Sequence, residues 1–257
     1  MREWGVSIAR AAPAAILLAV VWLAWDVLTN RGIIPRFILP TPEAVGHEMS
    51  ANSAVLLKHA LATTREALTG FAIGNVVAVA LAFAFAASPT LRMVFFPLAL
   101  VSRGVPIVAI TPLLVLVLGR GLPPIVAVVA ISVAFPTLLN MARGLQSADV
   151  EHREMLHTLS PTRWQRLRLI ELPASMPYLF AALKIGASAA FISALVAEWI
   201  GANVGLGYLV VISGQYFKLP MLWAAIFTAA GLTLAMLGVV ALAEFALRRY
   251  TAAPAEL

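Results

Sequence analysis

The stretch EMLHTLSPTRWQRLRLIELP at residues 154–173 concentrates charge in a chain that is otherwise strongly apolar. Apolar residues make up 61% of the 257 residues, charged residues make up only 12%, and the mean hydropathy is +0.93. A water-soluble protein with one buried core cannot accommodate that composition, so an integral membrane protein is indicated. The charged stretch is therefore expected to leave the bilayer between two membrane spans.

Six apolar segments surround this stretch, and each is long enough to cross a bilayer as a helix, which takes about 20 residues. None alternates apolar and polar residues in the way that the strands of a membrane barrel do. We predict an all-α integral membrane protein with a single transmembrane domain, 1–257, and a cytoplasmic loop at 143–174. The predicted spans are 11–29, 66–87, 93–118, 122–142, 175–198 and 221–247.

Lysine and arginine are distributed unequally between the two sides of these spans. The side that carries both termini and residues 143–174 holds ten, and the other side holds six. Basic residues are enriched on the cytoplasmic side, so both termini are predicted to be cytoplasmic.

The first segment could instead be the apolar region of a signal peptide, but its tryptophans and the absence of a clear cleavage site favour a retained helix. The net charge of +6 is attributed to topology rather than to nucleic-acid binding.

The charged loop contains signals for two short helices. Asp149 can cap the first helix, and Ser160 followed by Pro161 can open the second. The first helix carries a narrow apolar face, which suits insertion into a groove on another protein. The alternative is that this face packs on the protein's own membrane domain. The residues of the face are Met155, Leu156 and Leu159.

The loop resembles the EAA loop of ABC importer permeases. That family pattern is a glutamate, two alanines, a glycine four residues later, and isoleucine-x-leucine-proline after nine more. Glu154 and the IELP sequence at 170–173 match in register. Met155 and Leu156 replace the alanines, and Ser160 replaces the glycine, which leaves the fine geometry of the turn open because serine is less free at positive φ.

Further segments are similar to the nitrate, sulfonate and taurine group of these permeases, which are binding-protein-dependent inner-membrane transport components. The resemblance covers most of residues 39–247 and implies a type I ABC importer permease (MetI-like) fold with six transmembrane helices in a bacterial inner membrane. The similar segments are LPTPEAV at 39–45, FPTLLNMARGLQSAD at 135–149, LPASMPYLFAALKIG at 172–186 and AEWIGANVGLGYLV at 197–210.

The resemblance also implies partners. These are a second permease copy, two cytoplasmic ATPase subunits that dock on the loop, and an extracytoplasmic substrate-binding protein. The chain has no GxxxxGK[ST] motif, so ATP and Mg²⁺ would be bound by the ATPase, and no catalytic residue or cofactor is assigned to this chain. The residues implied to contact the ATPase are Glu154, Met155, Leu156, Leu159, Ser160, Arg163, Leu172 and Pro173.

Ionisable residues within membrane spans are costly and indicate function by default. Arg103 lies between prolines 97, 106 and 112 of the third predicted span, and Pro106 favours a kink there. Arg103, Pro106 and Glu198 are candidates for lining a translocation path; the alternative for both charged residues is a structural pairing. The histidines lie in connecting regions without a carboxylate cluster, so no metal site is assigned.

Two classes of transporter remain open from the sequence. An ATP-driven importer would move a small anionic or heterocyclic solute, of the nitrate, sulfonate and taurine type or of the pyrimidine-precursor and riboflavin type. The segment at 176–185 and the loss of the two alanines look closer to the heterocycle branch. An ion-coupled secondary transporter would need buried carboxylates, for which Asp26 and Glu198 are the candidates.

Overall fold

The computed structural model describes residues 2–102, 104, 106–147 and 162–251, and gives only the backbone for 2–12, 14, 98–102, 163 and 248–251. The secondary structure within these ranges is helical. The elements are α1 (Arg2–Asn30), α2 (Pro42–Ala51), α3 (Ser53–Ala87), α4 (Pro89–Ser102), α5 (Ile107–Leu118), α6 (Leu122–Gly144), α7 (Arg163–Arg166), a π-helical turn (Leu167–Glu171), α8 (Leu172–Gly201), α9 (Leu206–Gln215) and α10 (Leu219–Thr251).

Four helical stretches are long and apolar enough to cross a bilayer. They are Ser53–Ala87, Leu122–Gly144, Trp164–Gly201 and Leu219–Leu247. The predicted spans 66–87, 122–142, 175–198 and 221–247 lie within them. The predicted span 93–118 falls on α4 and α5, because Pro106 occupies the N-cap of α5 with an extended backbone. The number of membrane crossings and the single domain over 1–257 stay predictions.

The chain divides into two compact units. The first consists of Met1–Leu57 and Leu209–Phe227, and the second of Lys58–Tyr208 and Thr228–Leu257. In the first unit, Trp25 donates its indole N–H to the carbonyl of Pro40 at 2.9 Å and lies near the rings of Trp223 and Phe227, with centroids 6.0 and 5.6 Å away. This aromatic cluster holds α1 against the first turns of α10.

The core of the second unit is formed by α3, α6, α8 and α10. Its fully buried members are mostly alanine and valine, with Phe191 and Ile125 as the largest apolar side chains. Small residues allow helices to approach closely, which matters in a bilayer because lipid is as apolar as the helix surface. The packing therefore depends on short interhelical distances rather than on bulky side chains.

Glycines allow a close approach of α3 to α6. A Cβ atom added to Gly74 would lie 2.5 Å from the carbonyl oxygen of Ala130 and 3.0 Å from its Cα. One residue further along α3, Asn75 accepts a 2.7 Å hydrogen bond from the hydroxyl of Thr137 on α6. The glycine permits the contact, and the buried hydrogen bond fixes its register.

The Gly74→Ala substitution is expected to destabilise the protein because the methyl group has no space between two backbones. The expected cost is about 1–3 kcal/mol, which corresponds to a fall in Tm of about 2–4 °C for each kcal/mol in a chain of this size. The measurement is thermal unfolding in detergent, followed by tryptophan fluorescence.

The matched control is Gly231→Ala in α10, where nothing lies within 4 Å of the added Cβ. This change should be neutral or stabilising, because alanine is a better helix former than glycine by about 1 kcal/mol. Equal losses in the two variants would contradict the close-packing explanation.

Candidate functional site

The predicted coupling loop, 143–174, runs from the end of α6 to the first residues of α8 and includes α7. Of the predicted coupling residues, Glu154, Met155, Leu156, Leu159 and Ser160 lie outside the described residues. Arg163 begins α7, and its side chain is not described. Leu172 is half-buried and Pro173 is exposed at the first positions of α8. The structure therefore describes the base of the loop, and the role of these residues stays a prediction.

Helix α7 begins with a capping box formed by Thr162 and Gln165. The Thr162 amide donates to the side-chain oxygen of Gln165 at 2.9 Å, and the Gln165 amide donates to the hydroxyl of Thr162 at 3.3 Å. This reciprocal pair satisfies two backbone donors at the helix start. The sequence predicts Ser160 and Pro161 to open this helix, and both lie outside the described residues; the described helix starts at Arg163, directly after the Thr162 cap.

A π-helical turn at Leu167–Glu171 joins α7 to α8. It ends with the Leu172 amide bonded to the Leu167 carbonyl, and Arg166 forms an ion pair with Glu171 at 3.0 Å across it. Such turns insert one residue into a helix and are frequent at functional sites. Trp164 and Leu169 are each 68% exposed beside this turn. The base of the loop thus carries a distorted helix with exposed apolar side chains.

The residues that precede and follow the loop pack against each other where α6 ends and α8 begins. A Cβ atom on Gly144 would lie 2.9 Å from both the Cα of Ser175 and the Cβ of Tyr178. Ser175 is fully buried at this crossing and donates its hydroxyl to the carbonyl of Leu172 at 2.8 Å. The described ends of the loop are therefore attached to one rigid helix crossing.

Glu198 lies at the other end of α8 and is fully buried. Its carboxylate accepts the hydroxyl of Thr63 on α3 at 2.6 Å and the amide of Gly207 on α9 at 2.5 Å. The amide of Leu206 donates to the same threonine hydroxyl at 2.8 Å. Free amides at a helix start favour an anionic acceptor. The carboxylate therefore anchors the first turn of α9 to α3 and to the end of α8.

The turn before α9 is shaped to fit this carboxylate. Gly205 has a φ of +139°, which favours glycine, and a Cβ atom there would lie 2.6 Å from Oε1 of Glu198. The Nδ1 of His59 lies 3.0 Å from the amide nitrogen of Gly205 and 2.9 Å from its carbonyl oxygen. Depending on the tautomer of the ring, Nδ1 accepts from the amide or donates to the carbonyl. The ring of His59 also stacks on Tyr208, with centroids 6.1 Å apart.

The two described candidates for the translocation path, Pro106 and Glu198, lie on separate elements, α5 and α8. Arg103 lies outside the described residues, and Pro106 is an exposed residue at the start of α5. In the described part of the chain, the side-chain and amide donors to Glu198 come from α3 and α9. The assignment of Arg103, Pro106 and Glu198 to a path stays a prediction.

Sequence reasoning missed the hydrogen-bond partners of Glu198, which are Thr63 and Gly207, and the close approach of Gly205 to its carboxylate. It also missed that Glu66 is buried. The span prediction placed Glu66 at its first residue, at the membrane boundary, whereas α3 begins at Ser53 and Glu66 lies well inside the helix. An acidic residue inside an apolar helix is a signal of function and could have been recognised. The paired glycines at 205 and 207 indicate a constrained turn but do not reveal what it contacts.

Residues 74–249 match the family described as binding-protein-dependent transport system inner membrane component. The chain belongs to this family. It is an ABC importer permease of the MetI type and a multi-pass, all-helical membrane protein.

Three curated relatives share most of their length with this permease. The riboflavin transport system permease protein RibX of Chloroflexus aurantiacus is 34% identical, covering 92% of this chain and 88% of that protein. The formylaminopyrimidine transport permease protein ThiX of Halalkalibacterium halodurans is 28% identical, covering 89% of this chain and 88% of its own. The taurine transport system permease protein TauC of Escherichia coli is 26% identical, covering 82% and 78%.

A solved structure with the same fold is the MetNI methionine ABC transporter in an inward-facing conformation. Its matching chain has a TM-score of 0.56 at 17% identity, and the match covers 80% of this permease and 98% of that chain. At that identity the likeness establishes the fold alone. The predicted MetI-like fold is confirmed.

The Gly205→Ala substitution in this permease is expected to lower stability more than backbone strain alone would. The methyl group meets the Glu198 carboxylate, and alanine must adopt a φ that L-residues avoid at a cost of about 1–3 kcal/mol. Gly121 provides the control, since its φ is +108°, also outside the region that L-residues adopt, but nothing lies within 4 Å of an added Cβ. Thermal unfolding of both alanine variants separates the two effects, and equal destabilisation would contradict the contact with Glu198.

Proposed function

We propose that this permease is the transmembrane subunit of an ATP-driven importer that moves a small solute into the cytoplasm by alternating access. The main support for this proposal is that Glu154, Ile170, Leu172 and Pro173 have the spacing of the EAA loop, in a chain whose residues 74–249 match the family. ATP and Mg²⁺ are bound by the partner ATPase, and this chain supplies the path and the docking loop rather than a catalytic group.

The proposed assembly contains two permease copies, two ATPase subunits and one extracytoplasmic binding protein. Residues 143–174 dock on the ATPase through Glu154, Arg163 and the apolar face of the first loop helix. The close contact of Gly144 with Ser175 supports this role, since any displacement of the loop acts on α6 and α8 together. Alternating access then follows from movement of these packed helices.

The proposed solute is a small heterocyclic compound of the riboflavin or pyrimidine-precursor type. Two relatives that are 34% and 28% identical carry names for riboflavin and formylaminopyrimidine transport, whereas the relative named for taurine is 26% identical. The sequence at 176–185 also looks closer to the heterocycle branch. An anionic solute of the sulfonate type is the competing class of substrate.

The Glu154→Lys substitution is expected to weaken ATPase docking, and with it solute uptake, while leaving the protein folded, because it reverses a charge on the docking helix. The complex would be reconstituted in vesicles with its ATPase inside and its binding protein outside. ATP-dependent uptake of riboflavin and of taurine is then measured separately, and co-purification of the ATPase reports docking.

Glu43→Lys is the matched control because it makes the same charge change at an exposed site on α2. It should retain the ATPase and transport. Full transport by Glu154→Lys would overturn the coupling role, and uptake by the wild-type permease without ATP would favour an ion-coupled transporter. Uptake of taurine but not riboflavin would assign the anionic class.

The proposed location is a bacterial inner membrane with both termini in the cytoplasm. The sequence contains no cysteine, so single cysteines report topology without background. Gln165→Cys, at an exposed position of α7, should react only with reagents that have access from the cytoplasm. Tyr216→Cys, where the native side chain is 70% exposed, should react only from outside. The reverse labelling pattern would contradict the proposed orientation.

A further inference from the structure

A narrow exposed stripe runs along α8. Between residues 182 and 201, the exposed side chains of this helix are Ile185, Ile192 and Trp199, which are 55%, 61% and 52% exposed. They are spaced seven residues apart, and the half-buried Ser188 and Leu195 follow the two isoleucines by three positions. Alternating spacings of three and four residues are the pattern by which two parallel helices pack along a seam. These five residues are called the α8 stripe below.

Helices α3 and α10 expose broader apolar faces than α8 does. In the middle of α3, two adjacent residues are exposed in each turn, such as Val76 and Val77, and α10 shows the same pattern at Leu234 and Ala235. Faces of that width suit contact with lipid tails, which are as apolar as the side chains themselves. The stretch that contains α8 has the largest buried share of the four long apolar stretches, and it leaves open a surface only one residue wide. This shape fits a single partner helix.

A charged pair lies beside the α8 stripe. Lys184 of α8 contacts Glu244 of α10 at 2.5 Å, and the two side chains are 40% and 25% exposed. Lys184 is nine positions after residue 175, the start of the predicted span, which places it about 14 Å into a hydrocarbon core of about 30 Å. A charged pair that is partly open at this depth is costly against lipid tails. Contact with a second protein face is therefore more favourable here than contact with lipid.

We propose that the α8 stripe is the surface through which two copies of this permease contact each other. Two copies inserted in the same orientation are related by a two-fold axis perpendicular to the membrane, so the same surface of each copy meets its equivalent. The two α8 helices then run parallel and cross at about 20°, as most membrane helices do. A helix drifts by about 20° per seven residues, which keeps the stripe on one face. The second copy itself belongs to the proposed function, and the α8 stripe specifies where that copy binds.

Single cysteines test this surface directly, because the native sequence contains none. Ile185→Cys and Ile192→Cys, each in the full-length permease with its ATPase in lipid vesicles at low protein density, are oxidised mildly and separated on a non-reducing gel. A disulfide requires Cα atoms within about 7 Å, which equivalent residues beside a two-fold axis satisfy. Both variants should therefore convert from monomer to cross-linked dimer. The matched controls Val76→Cys and Leu234→Cys replace side chains that are 69% and 67% exposed on α3 and α10, and they should stay monomeric.

The mass of the unmodified complex in lipid nanodiscs separates failure of the α8 surface from failure of the proposed assembly. Two permease copies by mass, with cross-linking at Val76→Cys or Leu234→Cys but not at the α8 stripe, would overturn the proposed surface and leave the two-copy assembly intact. Two copies without cross-linking at either isoleucine position would overturn it as well. A single permease copy by mass would contradict the two-copy assembly itself and would assign the α8 stripe to contact with lipid.

Discussion

Close contact between helix backbones is the constraint on which this structure depends. In a bilayer, burial of apolar surface between helices gains little over contact with lipid, so association depends on van der Waals packing and hydrogen bonds. Gly74 lies against the backbone of Ala130, and Gly144 lies against Ser175. These two contacts fix α6 between α3 and α8. The contact between Gly144 and Ser175 sets the geometry of the described base of the charged loop.

Polar side-chain pairs between helices add direction to this packing. The Asn75 and Thr137 pair joins α3 to α6, and Lys184 of α8 contacts Glu244 of α10 at 2.5 Å. Polar groups at membrane depth have no water to bond, so each must find a partner within the protein. Such pairs add little attraction to an already close contact, but they exclude alternative helix registers because a shift would leave the groups unpaired.

Helix α8 connects the two regions to which function is attributed. Leu172 lies at its cytoplasmic start in the proposed orientation and Glu198 near its other end, 26 positions apart and hence about 39 Å along the axis. The helix packs on α6 and contributes six residues to the main core cluster. A rigid element of this length physically joins the base of the loop to the carboxylate that anchors α9.

The sequence by itself determined the membrane class, the positions of the long apolar helices and the family, because composition, span length and motif register are local properties of the chain. It also singled out Glu198 as an unusual charge. Only the tertiary structure decided what that charge contacts. Thr63 and Gly207 are separated from Glu198 by up to 135 positions along the chain and meet it only when α3, α8 and α9 pack together. Glu66 was assigned to a span boundary because helix ends depend on capping and tertiary contacts, whereas hydropathy reports only where the apolar run begins.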